Sequence, residues 1–237
     1  MERGRTRMKK FEYTPPEQPR ELILKLGQKI TDRIGHTVTA EDPEYYGLEA
    51  LVTDEMAEVA LKMKVRKPMT LAQVVKATGK EEKVLEELLQ EMSNIGLLEY
   101  NWENPKHEKQ YVLPMYVPGS AEFFNMKLDQ IKEHPEVASF FERMAFLPLQ
   151  KVTPMVPPGG AGIGMHVIPV EKAIETENES VSVEHISHWL DKYDGKYAAG
   201  PCSCRYSRGV LGEGCADDPE DWCIGVGDMA DYLVVKR

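Results

Sequence analysis

Residues 54–113 read DEMAEVALKMKVRKPMTLAQVVKATGKEEKVLEELLQEMSNIGLLEYNWENPKHEKQYVL, and the reading of this stretch decides the fold. Asp54 is a good N-cap for a helix that carries Met56, Val59, Ala60 and Met63 on one side. Pro68 breaks it, because proline lacks the amide a helix interior needs. Thr70 then caps a short helix, LAQVVKAT, and Gly79 is its stop residue. The spacing predicts a third helix from Glu81 to Ser93 that buries Val84, Leu85, Leu88, Leu89 and Met92. Ile95 to Tyr100 reads as a strand, residues 101–109 as a polar turn, and Gln110 to Leu113 as a returning strand.

Helix, short helix, turn, helix and hairpin in that order resemble a winged helix-turn-helix, here spanning about residues 45–118. The resemblance implies a third helix shaped for the major groove of DNA. Its charge argues the other way. Glu81, Glu82, Glu86, Glu87 and Glu91 face a single lysine in EEKVLEELLQEMSN, and phosphate contacts need cations. The presumed wing, NWENPKHEK, is close to neutral, so DNA is not an expected partner and the module reads as a scaffold or docking surface.

Outward from this unit, residues 1–44 form an arm and an amphipathic helix over about Glu21 to Ile34, with Leu22, Ile23, Leu26 and Ile30 on one side. Residues 119–195 read as a helical linker region with one short strand. Within it, GSAEFFNMKLDQIKEHPEVASFFERMAF is helical and interrupted at Pro135, PMVPPGGAGIG is a surface loop, MHVIPV a strand and VSVEHISHWLDKY a helix. Residues 196–237 hold every cysteine. The expected class is α+β, mainly helical: a winged-helix-like domain followed by a small cysteine-rich metal- or cluster-binding domain.

Composition narrows the setting. The chain has 237 residues, 42% hydrophobic and 29% charged, the profile of an ordinary globular protein. No run of about 18 apolar residues predicts a membrane span. The basic start, MERGRTRMKKFEYTPPEQPR, lacks the apolar core of an export signal, so a cytoplasmic location is expected. The net charge of −10 disfavours generic affinity for nucleic acid.

Cys202, Cys204, Cys215 and Cys223 lie in PCSCRYSRGVLGEGCADDPEDWC, spaced C-x-C, ten residues, C, seven residues, C. Clustered cysteines in a reducing compartment hold metal more often than they form disulfides. Structural zinc favours two C-x₂-C knuckles, whereas one tight pair with two separated thiols suits the larger [4Fe–4S] cube. Gly209, Gly212 and Gly214 would let backbone amides approach sulfur, and Arg205 and Arg208 place cations beside a negatively charged group. A [4Fe–4S] cluster is the leading expectation, with zinc and plain buried or redox thiols as alternatives.

The segment PCSCRYSRGVLGEGCADDPEDWCIGVGDMADYLV resembles the N-terminal iron–sulfur region of large FAD- and NAD(P)-dependent oxidoreductases of anaerobes. MYVPGSAEFF, HPEVASFFER and HVIPVEKAI extend the likeness, which covers about residues 45–237. It implies that the four cysteines are cluster ligands and that the chain serves electron transfer as a subunit or N-terminal region of a flavin-dependent NAD(P)H oxidoreductase system. The expected partner is a flavin- or ferredoxin-containing domain or subunit. No ferredoxin-type cysteine run or flavin fingerprint appears before Arg237, so no catalytic residue is assigned and any enzymatic role is that of an electron-transfer component. A redox- or iron-responsive winged-helix DNA-binding regulator and a zinc-stapled interaction module are the alternative functions.

Other motifs carry less. GGAGIG (159–164) follows two prolines rather than a strand, so it reads as a turn and not a dinucleotide loop. His185 and His188, with Glu184 adjacent, and His166 read as surface or strand residues. Trp222 beside Cys223 is placed to shield a cluster or simply to pack, and ADDPED (216–221) is a solvated loop suited to a basic partner.

Overall fold

Apolar spacing at i, i+3 and i+4 drives the first helix, α1 (Glu21–Ile30), to bury Ile23, Leu26 and Ile30 completely. The computed structural model describes residues 13–102, 104–139, 186–212 and 223–236. The described residues are mixed α and β, about half of them helical, with two small antiparallel sheets. Among the described residues, no helix is long and apolar enough to cross a membrane.

After α1 the chain turns through an ionic knot into α2 (Pro43–Leu51). Glu44 is fully buried, and its carboxylate accepts hydrogen bonds from Thr31 Oγ1 at 2.6 Å and Arg33 Nε at 2.8 Å. Arg33 also donates to Asp42 at 2.9 Å. Removing one member of such a buried set strands the other charges and costs about 3–5 kcal/mol. Burial opposes ionisation of Asp42, but hydrogen bonds from the Thr39 backbone, Arg33, His36 and the Thr39 hydroxyl hold its carboxyl down at about 2.

Next come α3 (Asp54–Lys62), β1 (Met69–Thr70), α4 (Leu71–Thr78), α5 (Glu82–Ile95), β2 (Glu99–Asn101) and β3 (Gln110–Val112). Thr70 and Gln73 close a reciprocal capping box at the start of α4, and Gly79 ends that helix with φ 72°. Val74, Leu85, Leu89 and Met92 bring α4 and α5 together. The strands align as β1-β3-β2, both pairings antiparallel, with Tyr100 opposite Tyr111. Gln90 of α5 accepts from the Tyr100 hydroxyl at 2.7 Å and donates to that of Tyr111 at 3.2 Å, locking helix to hairpin.

Three short helices, α6 (Ser120–Asn125), α7 (Leu128–Glu133) and α8 (Pro135–Ala138), continue the chain. Buried Asn125 ties the outer two together by donating to the carbonyls of Ala121 and Val137. The described C-terminal part comprises α9 (Ile186–Lys192), β4 (Tyr197–Gly200), α10 (Ser203–Val210), β5 (Cys223–Val226) and α11 (Asp228–Lys236). Helix α11 lies across β4, β5 and β2. Its Tyr232 is fully buried edge-on to Tyr100 (5.7 Å) and Phe123 (4.7 Å), and its hydroxyl donates to the Ser93 carbonyl at 3.0 Å.

Several sequence expectations shift. The first helix ends at Ile30 rather than Ile34, and Ile34 is fully exposed. The cap of α3 is Thr53, whose hydroxyl accepts from the Met56 amide at 3.2 Å; Asp54 is the first helical residue. Val84 is exposed, because the apolar stripe of α5 centres on Leu85, Leu89 and Met92. Helix α2 and strand β1 have no counterpart in the sequence reading. The stretch at 119–146 breaks at Met126 and Lys127 as well as before Pro135. The proline- and glycine-rich loop, MHVIPV and the start of VSVEHISHWLDKY lie outside the described residues.

Tyr232→Phe removes one buried hydrogen bond and is expected to cost about 1 kcal/mol, read as a lower urea midpoint with an unchanged slope. Asp42→Asn tests the ionic knot by pH. The folded carboxyl titrates at about 2 against an ordinary 3.8, so its contribution is complete above 3.8 and lost as pH falls through about 2. In urea titrations the wild type is therefore more stable than the variant at neutral pH. That gap is expected to narrow between about pH 4 and pH 2.

Candidate metal centre

Pairing of β4 with β5 builds the cysteine site. The register runs from Tyr197 opposite Val226 to Gly200 opposite Cys223. Two residues after Gly200 the chain reaches Cys202, which is the N-cap of α10 with extended backbone (φ −84°, ψ 107°). The Cys202 carbonyl accepts the first helical bond, from the Tyr206 amide at 2.9 Å. C-x-C spacing then puts Cys204 in the first turn, where helix amides have no intrahelical partner. Ser203, Tyr206 and Ser207 form the inner side of α10, which packs on α6, α7 and α8. Ser207 donates back to the Cys204 carbonyl at 3.0 Å.

This arrangement gathers three thiols. Cys202 lies within hydrogen-bonding reach of both Cys204 and Cys223. Cys202 and Cys223 are half-buried, and Cys204 is exposed. Burial, then the neighbouring Cys202 and Cys204 sulfurs, push the Cys223 thiol up to about 11. Burial and Cys202 likewise raise the Cys204 thiol. Burial and neighbouring sulfur thus oppose ionisation of Cys204 and Cys223, so free thiolates are disfavoured there.

The fourth sequence candidate, Cys215, lies outside the described residues, together with Gly214 and Trp222. Among the described residues, no group of three or more His, Cys, Asp or Glu side chains is arranged to hold a metal ion. The three sulfurs are thus neighbours rather than a closed ligand set. Arg205 and Arg208 are half-buried on α10, and Arg208 stands one turn after Cys204 on the same side of the helix. A Cβ on Gly209 would meet open space, so no described neighbour requires glycine there. Gly212 adopts φ 71° just past the helix end. His188 stacks edge-on against Trp189 at 5.4 Å, while His166, Glu184, His185, residues 159–164 and residues 216–221 lie outside the described residues.

The structure adds two features the sequence reading did not contain. Gly225 must be small, since a Cβ there would stand 2.6 Å from Leu233 Cδ1, and this close approach seats α11 on the ribbon. A cavity of about 880 Å³ opens beside Pro201 and Tyr206, walled by Lys127, Asp129, Gln130 and His134. Neither had a local sequence signature, because both arise where distant elements meet. Compared with protein-family models, with curated proteins and with solved structures, the chain shows no significant match.

Proposed function

We propose that this is an iron–sulfur protein in which Cys202, Cys204, Cys215 and Cys223 hold one [4Fe–4S] cluster, acting as an electron-transfer subunit or N-terminal region of a flavin-dependent NAD(P)H oxidoreductase system. One observation carries the reading: the β4–β5 pairing and the N-cap of α10 set Cys223 beside Cys202 and Cys204, although some twenty positions separate them in sequence. The donor set fits the group, since thiolate sulfur is what such clusters take from a protein. When bound, the cluster supplies single-electron transfer. The chain's own residues would present the ligands, donate amides from the first turn of α10 toward sulfur, and place Arg205 and Arg208 nearby to offset negative charge. A thiol-ligated cluster belongs in a reducing compartment, which supports a cytoplasmic location.

The winged-helix reading of residues 45–118 is supported by the succession α3, β1, α4, α5, β2, β3 and the strand order β1-β3-β2. All five glutamates of the third helix region are exposed, so this face suits protein contact rather than phosphate. A DNA-binding regulator is correspondingly disfavoured.

Elemental and sulfide analysis of the full chain purified without oxygen tests the cluster. About four iron and four sulfide per chain are expected, with visible absorption that bleaches on reduction. Serine at each cysteine in turn should lower bound iron severalfold. One zinc without sulfide would replace the proposal with a zinc-stapled interaction module, and no metal at all would leave only thiols.

A further inference from the structure

We propose that Lys109 is a covalent modification site, a nucleophilic amine that takes an acyl group from an activated acyl donor, either a thioester or an acyl phosphate. Lys109 stands at the start of the returning strand, and its Nζ sits 3.9 Å from the centre of the Tyr100 ring, 5.1 Å from Tyr111 and 5.9 Å from Trp102. The side chain is half-buried among these rings, and among the described residues it has no carboxylate within ion-pair distance and no hydrogen-bond acceptor. A second ammonium, Lys236 of α11, lies 5.8 Å from the same Tyr100 ring. An amine held in an apolar nest beside another cation is the setting in which lysine loses its proton near neutrality.

Among the described residues, the charged groups that bear on the Lys109 amine are Lys236 and Glu86. Lys236 disfavours its charge and Glu86 of α5 favours it, while Tyr111 is itself pushed up to about 12 by burial and stays neutral. Burial and then Lys236 bring the Lys109 amine down to about 8. The ring quadrupoles favour the ammonium and offset part of this. Access is retained, because Lys109 directly follows the exposed residues 105–108 and its own side chain is only half-buried.

The chemistry balances without an oxidant. The neutral Nζ attacks the acyl carbonyl carbon, forming a C–N bond. The C–S or C–O bond breaks, its electron pair leaves with the thiolate or phosphate, and the amine proton passes to solvent. The product amide is uncharged, so modification removes the cation from the aromatic nest.

Limited labelling of the full chain with acetyl phosphate, and in a parallel arm with a small acetyl thioester, followed by peptide mass mapping, tests the site. Exposed Lys106, three residues away, is the internal reference. Near pH 7.5, Lys109 is expected to label on the order of tenfold faster than Lys106, because a larger neutral fraction outweighs the lower intrinsic nucleophilicity of a less basic amine. Its rate should level off above about pH 8. Lys236→Met should slow labelling at Lys109 several-fold and move its pH profile upward, leaving Lys106 unchanged. The preference should vanish in urea. Labelling by one donor alone supports the site and identifies the source. Equal or slower reaction than Lys106 in both arms, a preference that survives urea, or no response to Lys236→Met overturns the proposal.

Discussion

A buried hydrogen bond, from the Tyr232 hydroxyl to the Ser93 carbonyl, spans 139 positions of sequence and joins the C-terminal elements to the helix-and-hairpin unit. The ring that carries it is wedged between Tyr100 and Phe123, so burial and directional bonding act on the same side chain. A buried aromatic of this size contributes several times the roughly 1 kcal/mol of the hydrogen bond itself. Because α11 also roofs β4 and β5, the position of Cys223 follows from where Tyr232 is seated. The thiol site is therefore referenced to the core and not only to its own loop.

Local rules made much of residues 54–113 legible. Thr70 as a cap, Gly79 as a stop and the stripe Leu85, Leu89 and Met92 each act over a few residues, and each appears where the sequence puts it. The misses have the same logic inverted. Helix α2 has no amphipathic stripe to betray it: its Pro43, Glu44, Tyr45, Tyr46, Gly47 and Leu48 are all buried, held by Arg33 from the turn after α1 and by Tyr116. Strand β1 is two residues long and exists only because β3 lies alongside. Val84 falls one position off the buried stripe, a displacement that periodicity alone does not resolve.

The candidate site divides the same way. C-x-C before a helical run is visible in sequence, and the structure makes it an N-cap followed by a first-turn residue. The sequence reading grouped Cys202 with Cys223, but not the strand pairing that joins them, since YAAG and CIGV carry little strand character until they pair. The charge of α5 was legible: its glutamates project outward into water, as expected of a helix with a single lysine among them.

The Gly200–Cys223 rung has a consequence for how the chain tolerates change. Entropy for uniting two of the sulfurs is spent when the ribbon zips, before any metal arrives. Besides carrying Cys215, the chain between Val210 and Cys223 joins two ends that α10 and the ribbon fix, and doubling the length of such a connection costs about 0.6 kcal/mol. Insertions there should be far cheaper than a single-residue slip in the ribbon, which would turn Cys223 to the opposite face.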